Sequence, residues 1–191
     1  MKTIRFFCLI AGCLLFAAGG RAAAAEKLQM PVRFDDLIES ACVIYPNLKP
    51  ELVKALIWRE SRFNPCARGK SGEIGLMQVR RSVVIDWARA HSIEKVPSGE
   101  EVMDPYMNIM IGAWNLSRAM SRWSGRSTSV ALALFEYNAG RSCLVTWIAH
   151  YDGDTKAAVE NGPSASYVRD IIQVASGIRF RRMSEAVSRN P

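Results

Sequence analysis

Histidine is scarce in this 191-residue chain: there are two, His91 and His150, in unrelated segments. The five cysteines form no Cys-x-x-Cys pair. Protein zinc sites need thiolates, imidazoles or carboxylates clustered at short spacing, so neither a resident metal nor another cofactor is expected. Alternation of apolar and polar residues with period two is also missing, which excludes a sizeable sheet and leaves an all-α chain. No internal repeat and no second domain can be read. The apolar run Phe6–Ala18 falls short of the roughly 18–20 residues that span a bilayer. Basic residues form no stripe interleaved with aromatics, which excludes nucleic acid as a partner.

What the N-terminus does carry is an export pattern. Lys2 and Arg5 precede Phe6–Ala18, and Ala22–Ala25 supplies small residues for cleavage, so 1–25 reads as a signal peptide leading to the bacterial periplasm or cell envelope. Ile10-Ala11-Gly12-Cys13 offers the alternative of a lipoprotein cleavage site, which would leave Cys13 lipidated and the protein anchored at a membrane. Loss of 1–25 removes Lys2, Arg5 and Arg21 and no acid, so the net charge falls from +7 to +4, which suits anionic envelope polymers. The remainder divides into a domain over 26–178 and a basic tail over 179–191, whose Arg179-Phe180-Arg181-Arg182 is expected to be solvated and frayed. Cys42, Cys66 and Cys143 remain, and an oxidising compartment would allow one disulfide among them, with the pairing open.

Apolar spacing predicts helices over Asp35–Tyr45, from Pro50 to Asn64-Pro65, over Arg81–His91, from Asp104-Pro105 to Trp123, over Thr128–Gly140 and over Ser164–Ser176. Asp104 has the character of an N-cap and Pro105 of a first helical residue. Gly140 is expected to close its helix in the left-handed conformation. Ser92–Met103 reads as a surface excursion, and Gly153–Gly162 as a turn-rich connection with a helical piece at Thr155–Asn161.

The chemistry concentrates in Leu52–Gln78. Leu52, Val53, Leu56 and Ile57 recur at helical spacing, and Glu60 projects from the same apolar face. A carboxyl so placed is either salt-bridged or desolvated. Desolvation and the nearby helix C-terminus both disfavour its ionised form, which moves its pKa towards the value a general acid needs near neutral pH. The chain then returns as Gly72-Glu73-Ile74-Gly75-Leu76-Met77-Gln78, where glycines let backbone approach a ligand and Gln78 offers both a donor and an acceptor.

Glu60-Ser61-Arg62-Phe63-Asn64-Pro65 followed by Gly75-Leu76-Met77-Gln78 resembles the core motif of the soluble-type lytic transglycosylases, lysozyme-like enzymes that cleave bacterial peptidoglycan. Further elements follow in the family's order: Asn108-Ile109 with Gly112 after Asp104-Pro105, then Tyr137-Asn138-Ala139-Gly140, then Tyr167-Val168. The resemblance implies a goose-type, lysozyme-like fold of about six to eight helices round a catalytic cleft. It implies that Glu60 protonates the bond between N-acetylmuramic acid and N-acetylglucosamine and then, as carboxylate, takes the proton of the muramoyl C6 hydroxyl, giving a 1,6-anhydro product. It also implies that Met77 packs against sugar faces, that Gln78 hydrogen-bonds sugar, that Tyr137 orients Glu60 or a substrate N-acetyl group, and that Asn138 holds backbone or sugar. Ser61 is a further substrate-binding candidate. Tyr167 belongs either to the cleft or to the core.

The chain departs from the family pattern at Gly69, where Ser is frequent, and at Asn115, Glu136, Arg141-Ser142 and Pro163. Glu73 stands where many relatives have Ala. It is either a solvated loop acid or a second carboxylate that would move the reaction towards lysozyme-like hydrolysis. The function expected is an exported peptidoglycan lytic transglycosylase, monomeric and acting on glycan strands. The alternatives are the hydrolase and a wall-binding assembly protein of a secretion or pilus apparatus with little turnover.

Overall fold

The computed structural model describes residues 30–189. The expected signal at 1–25, with Cys13, lies outside the described residues. Among the described residues there are eight α-helices: α1 Asp35–Ile44, α2 Pro50–Ser61, α3 Arg81–Ala90, α4 Pro105–Arg122, α5 Ser129–Ala139, α6 Arg141–His150, α7 Thr155–Asn161 and α8 Ala165–Arg189. A single 3-10 turn, Glu101–Met103, precedes α4. Extended pairing is confined to isolated bridges, Arg68 with Ile74 and Ile74 with Val79, in the loop between α2 and α3.

The molecule is built round α4. Asp104 caps it by accepting the Met107 amide at 2.9 Å, and Pro105 has no N–H to leave unpaired. Ile109, Ala113 and Leu116 are buried as their spacing requires, and so are Asn108, Met110, Ile111 and Trp114. A helix buried on nearly every side is central to its fold. α1, α3 and α5 pack against it, while α2 lies between α1 and α8. Leu56 and Ile57 are fully buried there, each worth about 1.5–3 kcal/mol of transfer from water.

Four expectations need correction. α2 stops at Ser61 instead of Asn64, because Arg62 and Phe63 turn left-handed with φ of 53° and 62°. That strain, about 1 kcal/mol or more per residue, is offset by the Arg62 guanidinium 3.5 Å from the Trp58 ring centroid and by burial of Phe63, stacked on Phe34. Gly140 has φ 82° but ψ 157°, so it separates α5 from α6 in an extended mirror-image conformation rather than as a left-handed cap. α8 runs straight through Gly177, an interior glycine that costs about 1 kcal/mol against alanine. Burial of Ile178, the residue that follows it, offsets that cost, and the stretch expected to fray is helical to Arg189, with Arg182 3.4 Å from Glu39. Finally, Cys42, Cys66 and Cys143 are all free thiols, lying on α1, in the α2–α3 loop and on α6. Burial, helped by Glu51 and Glu39, pushes the Cys42 thiol up to about 11.

Candidate active site

Glu60 occupies the last full turn of α2, with most of its side chain withdrawn from water. Tyr167, from α8, donates its hydroxyl to Glu60 Oε1. The Tyr167 ring is itself buried, with the Arg59 guanidinium 5.3 Å from its centroid. Burial pushes the Glu60 carboxyl above its ordinary value. The Tyr167 hydrogen bond, Arg59 and Arg80 pull it down and Glu73 pushes it up, but desolvation decides the direction.

Facing Glu60 is the loop that joins α2 to α3. Ile74 and Val79 exchange backbone hydrogen bonds at 3.1 and 2.9 Å, and the Gly75 amide donates to Ala67 O at 2.9 Å. Gly75 has φ 78°, and a Cβ there would run into the Asn108 side-chain amide. Helices on different sides of the molecule hold this turn. Ser61 of α2 donates to Leu76 O at 2.7 Å. Asn108 of α4, fully buried, accepts the Met77 amide at 2.8 Å and donates to Ile74 O at 3.0 Å and Val102 O at 2.9 Å. Tyr137 of α5 donates to Met77 O at 2.8 Å. The Met77 side chain fills the space left by Gly112, where a Cβ would lie 2.6 Å from Sδ.

These constraints open a cleft. α2 lines it with Glu60, the loop with Glu73, Gln78, Val79 and Arg80, α3 with Val83, α4 with Asn115, and α5 with Tyr137 and Asn138. Two expected substrate contacts are placed elsewhere. Met77 is fully buried, because its side chain is the plug beneath Gly112 and only its backbone meets the site. The Ser61 hydroxyl is spent on carbonyls, Leu76 O at 2.7 Å and Ile57 O at 3.2 Å. Of the two tyrosines, Tyr167 is the one whose hydroxyl reaches Glu60, whereas the hydroxyl of Tyr137, expected to orient Glu60 or a substrate N-acetyl group, is donated to Met77 O. Gln78, at φ 47°, donates to Ala67 O and Gly75 O and keeps its own carbonyl oxygen as an acceptor. Asn138 donates to the buried Ser164 hydroxyl at 2.9 Å.

Glu73 is not a solvated loop acid. Its side chain is 16% exposed, with Oε1 accepting Arg80 Nε at 3.0 Å and Oε2 accepting the Ser71 amide at 3.0 Å. Burial pushes this carboxyl up, but the backbone hydrogen bonds and Arg80 outweigh it and hold Glu73 below its usual range. The unusual Glu136 has a structural role, accepting Arg122 at 2.9 Å and Trp123 Nε1 at 2.7 Å where α4 ends. Sequence reasoning named Asn108 as part of a family element but gave it no role in the site, and it missed Arg80, which carried no signal beyond following Gln78.

Comparison with known proteins gives a consistent picture. A family model described as the transglycosylase SLT domain matches residues 43–160. The peptidoglycan transglycosylase gp16 of Escherichia phage T7 is 28% identical over 150 residues, covering 76% of this chain and 10% of that protein. The soluble lytic murein transglycosylase of Escherichia coli K12 is 28% identical over 157 residues, covering 80% of this chain and 24% of that protein. The chain therefore spans at most about a quarter of the length of these curated relatives. The crystal structure of the 70 kDa soluble lytic transglycosylase from Escherichia coli superposes with a TM-score of 0.70 at 21% identity, over 80% of this chain and 25% of that one. A complex of the 70 kDa enzyme with bulgecin A gives 0.71 at 18% identity, over 87% of this chain and 29% of that one. At these identities the structural likeness establishes the fold.

Proposed function

The chain belongs to the transglycosylase SLT domain family, and on that premise we propose that it is a peptidoglycan lytic transglycosylase acting in the bacterial cell envelope, with Glu60 as acid and then base. The observation that carries this reading is the seat of Glu60: desolvated at the end of α2, raised in pKa, and touched by the Tyr167 hydroxyl beside an open cleft. Such a carboxyl holds its proton closer to neutral pH, as a general acid must. The proton passes to the oxygen bridging N-acetylmuramic acid and N-acetylglucosamine, and the muramoyl C1–O bond breaks. The muramoyl C6 hydroxyl then bonds to C1 while Glu60, now a carboxylate, takes its proton. No water is consumed, and the product is a 1,6-anhydro sugar. Gln78 and Asn138 are assigned to sugar contacts; Tyr137, Ser61 and Met77 hold the cleft wall.

A second reading, lysozyme-like hydrolysis, is favoured by one observation: Glu73 shares the cleft with Glu60 and is held ionised. A fixed anion there would stabilise an oxocarbenium ion or orient water. Both Glu73 oxygens already accept hydrogen bonds, which favours the electrostatic role over base catalysis. Digestion of purified sacculi by the chain and by Glu60→Gln, followed by mass spectrometry of the muropeptides, separates the readings. Anhydro ends that vanish in the variant are expected. Reducing ends would replace the first reading by the second, and intact sacculi would sink both.

A further inference from the structure

Glu73 and Arg80 are arranged asymmetrically. Both line the cleft, but the acid is 16% exposed and the cation 51% exposed, so the guanidinium is the more open half of the pair. Glu73 has used both oxygens, one on Arg80 Nε and one on the Ser71 amide. Arg80 has used only Nε; among the described residues its Nη1 and Nη2 meet no protein acceptor. The Glu73 carboxylate also depends on the absence of a side chain at residue 69. A Cβ there would collide with Glu73 Oε2 and lie 2.8 Å from Gln78 Oε1. Gly69 and Glu73, two departures from the family pattern, are thus one packing solution, and its outward product is an immobilised guanidinium.

A guanidinium pinned at Nε, with two nitrogens free, is pre-organised for a second carboxylate. Neutral sugar hydroxyls do not require a full positive charge. We infer that Arg80, positioned by Glu73, recognises a carboxylate carried by the muramoyl unit of the glycan. This inference rests on the peptidoglycan reading above. A muramoyl residue differs from its neighbour by a lactyl ether that ends in a carboxyl group, free where the peptide has been removed. Where the peptide remains, carboxylates sit along the stem instead. The shared chemistry is one carboxylate within reach of the sugar over Glu60.

The experiment uses the chain carrying Glu60→Gln, so that ligands bind without turnover, and the same chain carrying also Arg80→Gln. Each is titrated calorimetrically with a peptide-free muramoyl oligomer, with the same oligomer amidated by methylamine, and with a stem-peptide-bearing oligomer. The Glu60→Gln protein is expected to bind a carboxylate-bearing oligomer about tenfold tighter than the amidated one, as a charge-assisted bond would give. Arg80→Gln should bring that ratio to within about twofold, and matching circular dichroism and thermal melting of the two proteins report an intact fold. Preference for the peptide-free oligomer identifies the lactyl carboxylate, and preference for the peptide-bearing one identifies the stem. Equal affinities in the Glu60→Gln protein, a ratio that survives Arg80→Gln, or no binding of any oligomer would each overturn the inference. The two readings fail separately: intact sacculi count against lysis alone, whereas released muropeptides with equal affinities count against Arg80 alone.

Discussion

Glu60 stands between influences of opposite sign, and each can be removed singly. A general acid works protonated, so activity falls as pH rises through its pKa. The Tyr167 hydroxyl stabilises the ionised form, and Glu73 destabilises it. Tyr167→Phe should therefore move the alkaline limb of the kcat/KM profile to higher pH. Glu73→Gln should move it to lower pH, because it deletes an anion and leaves the Arg80 cation uncompensated. Rates on sacculi across the acid-to-neutral range check both directions, and limbs that fail to separate would assign the titration to another group. The position of Glu60 on an apolar face was legible from Leu56 and Ile57 alone. Which tyrosine touches it was not: Tyr167 lies 107 residues away, and only the packing of α8 on α2 brings it there.

At the level of elements, the wall of the cleft is a loop clamped by α2, α4 and α5. Asn108 is the largest single clamp, satisfying a backbone amide and two carbonyls in a dry interior. Asn108→Ala leaves these groups unpaired. It should cost about 2–4 kcal/mol in urea unfolding and lower turnover as Gln78 loses its place. A stable variant with unchanged turnover would mean that the loop holds itself. The start of α4 was readable because Asp104 and Pro105 carry local instructions. α6 was not, since Leu144 is its one buried residue and no apolar stripe marks it. Met77 shows the same limit: its motif marks the turn, but only Gly112, on another helix, reveals that the side chain plugs the core.

For the molecule as a whole, the all-α class followed from the absence of period-two alternation, while the length of α8 did not follow from anything local. Gly177 looked like a terminus, and the arginines after it looked like solvent-borne charge. Past Ile178 the helix contributes little: Phe180, Met183 and Val187 are 68%, 59% and 74% exposed, and the Arg182–Glu39 pair is half exposed on both sides. Deleting residues 179–191 should therefore change stability by less than about 1 kcal/mol and leave sacculus digestion intact, as thermal melting and turbidity would measure. A large loss would reveal a packing role for the tail. The clamping of Leu76 and Met77 has a further consequence. The turn cannot swing out while Ser61, Asn108 and Tyr137 keep their partners, so its amides should exchange with deuterium as slowly as the deepest helices. Warming should then abolish substrate grip and scaffold together in one event, with no temperature at which the body survives and the groove has already melted.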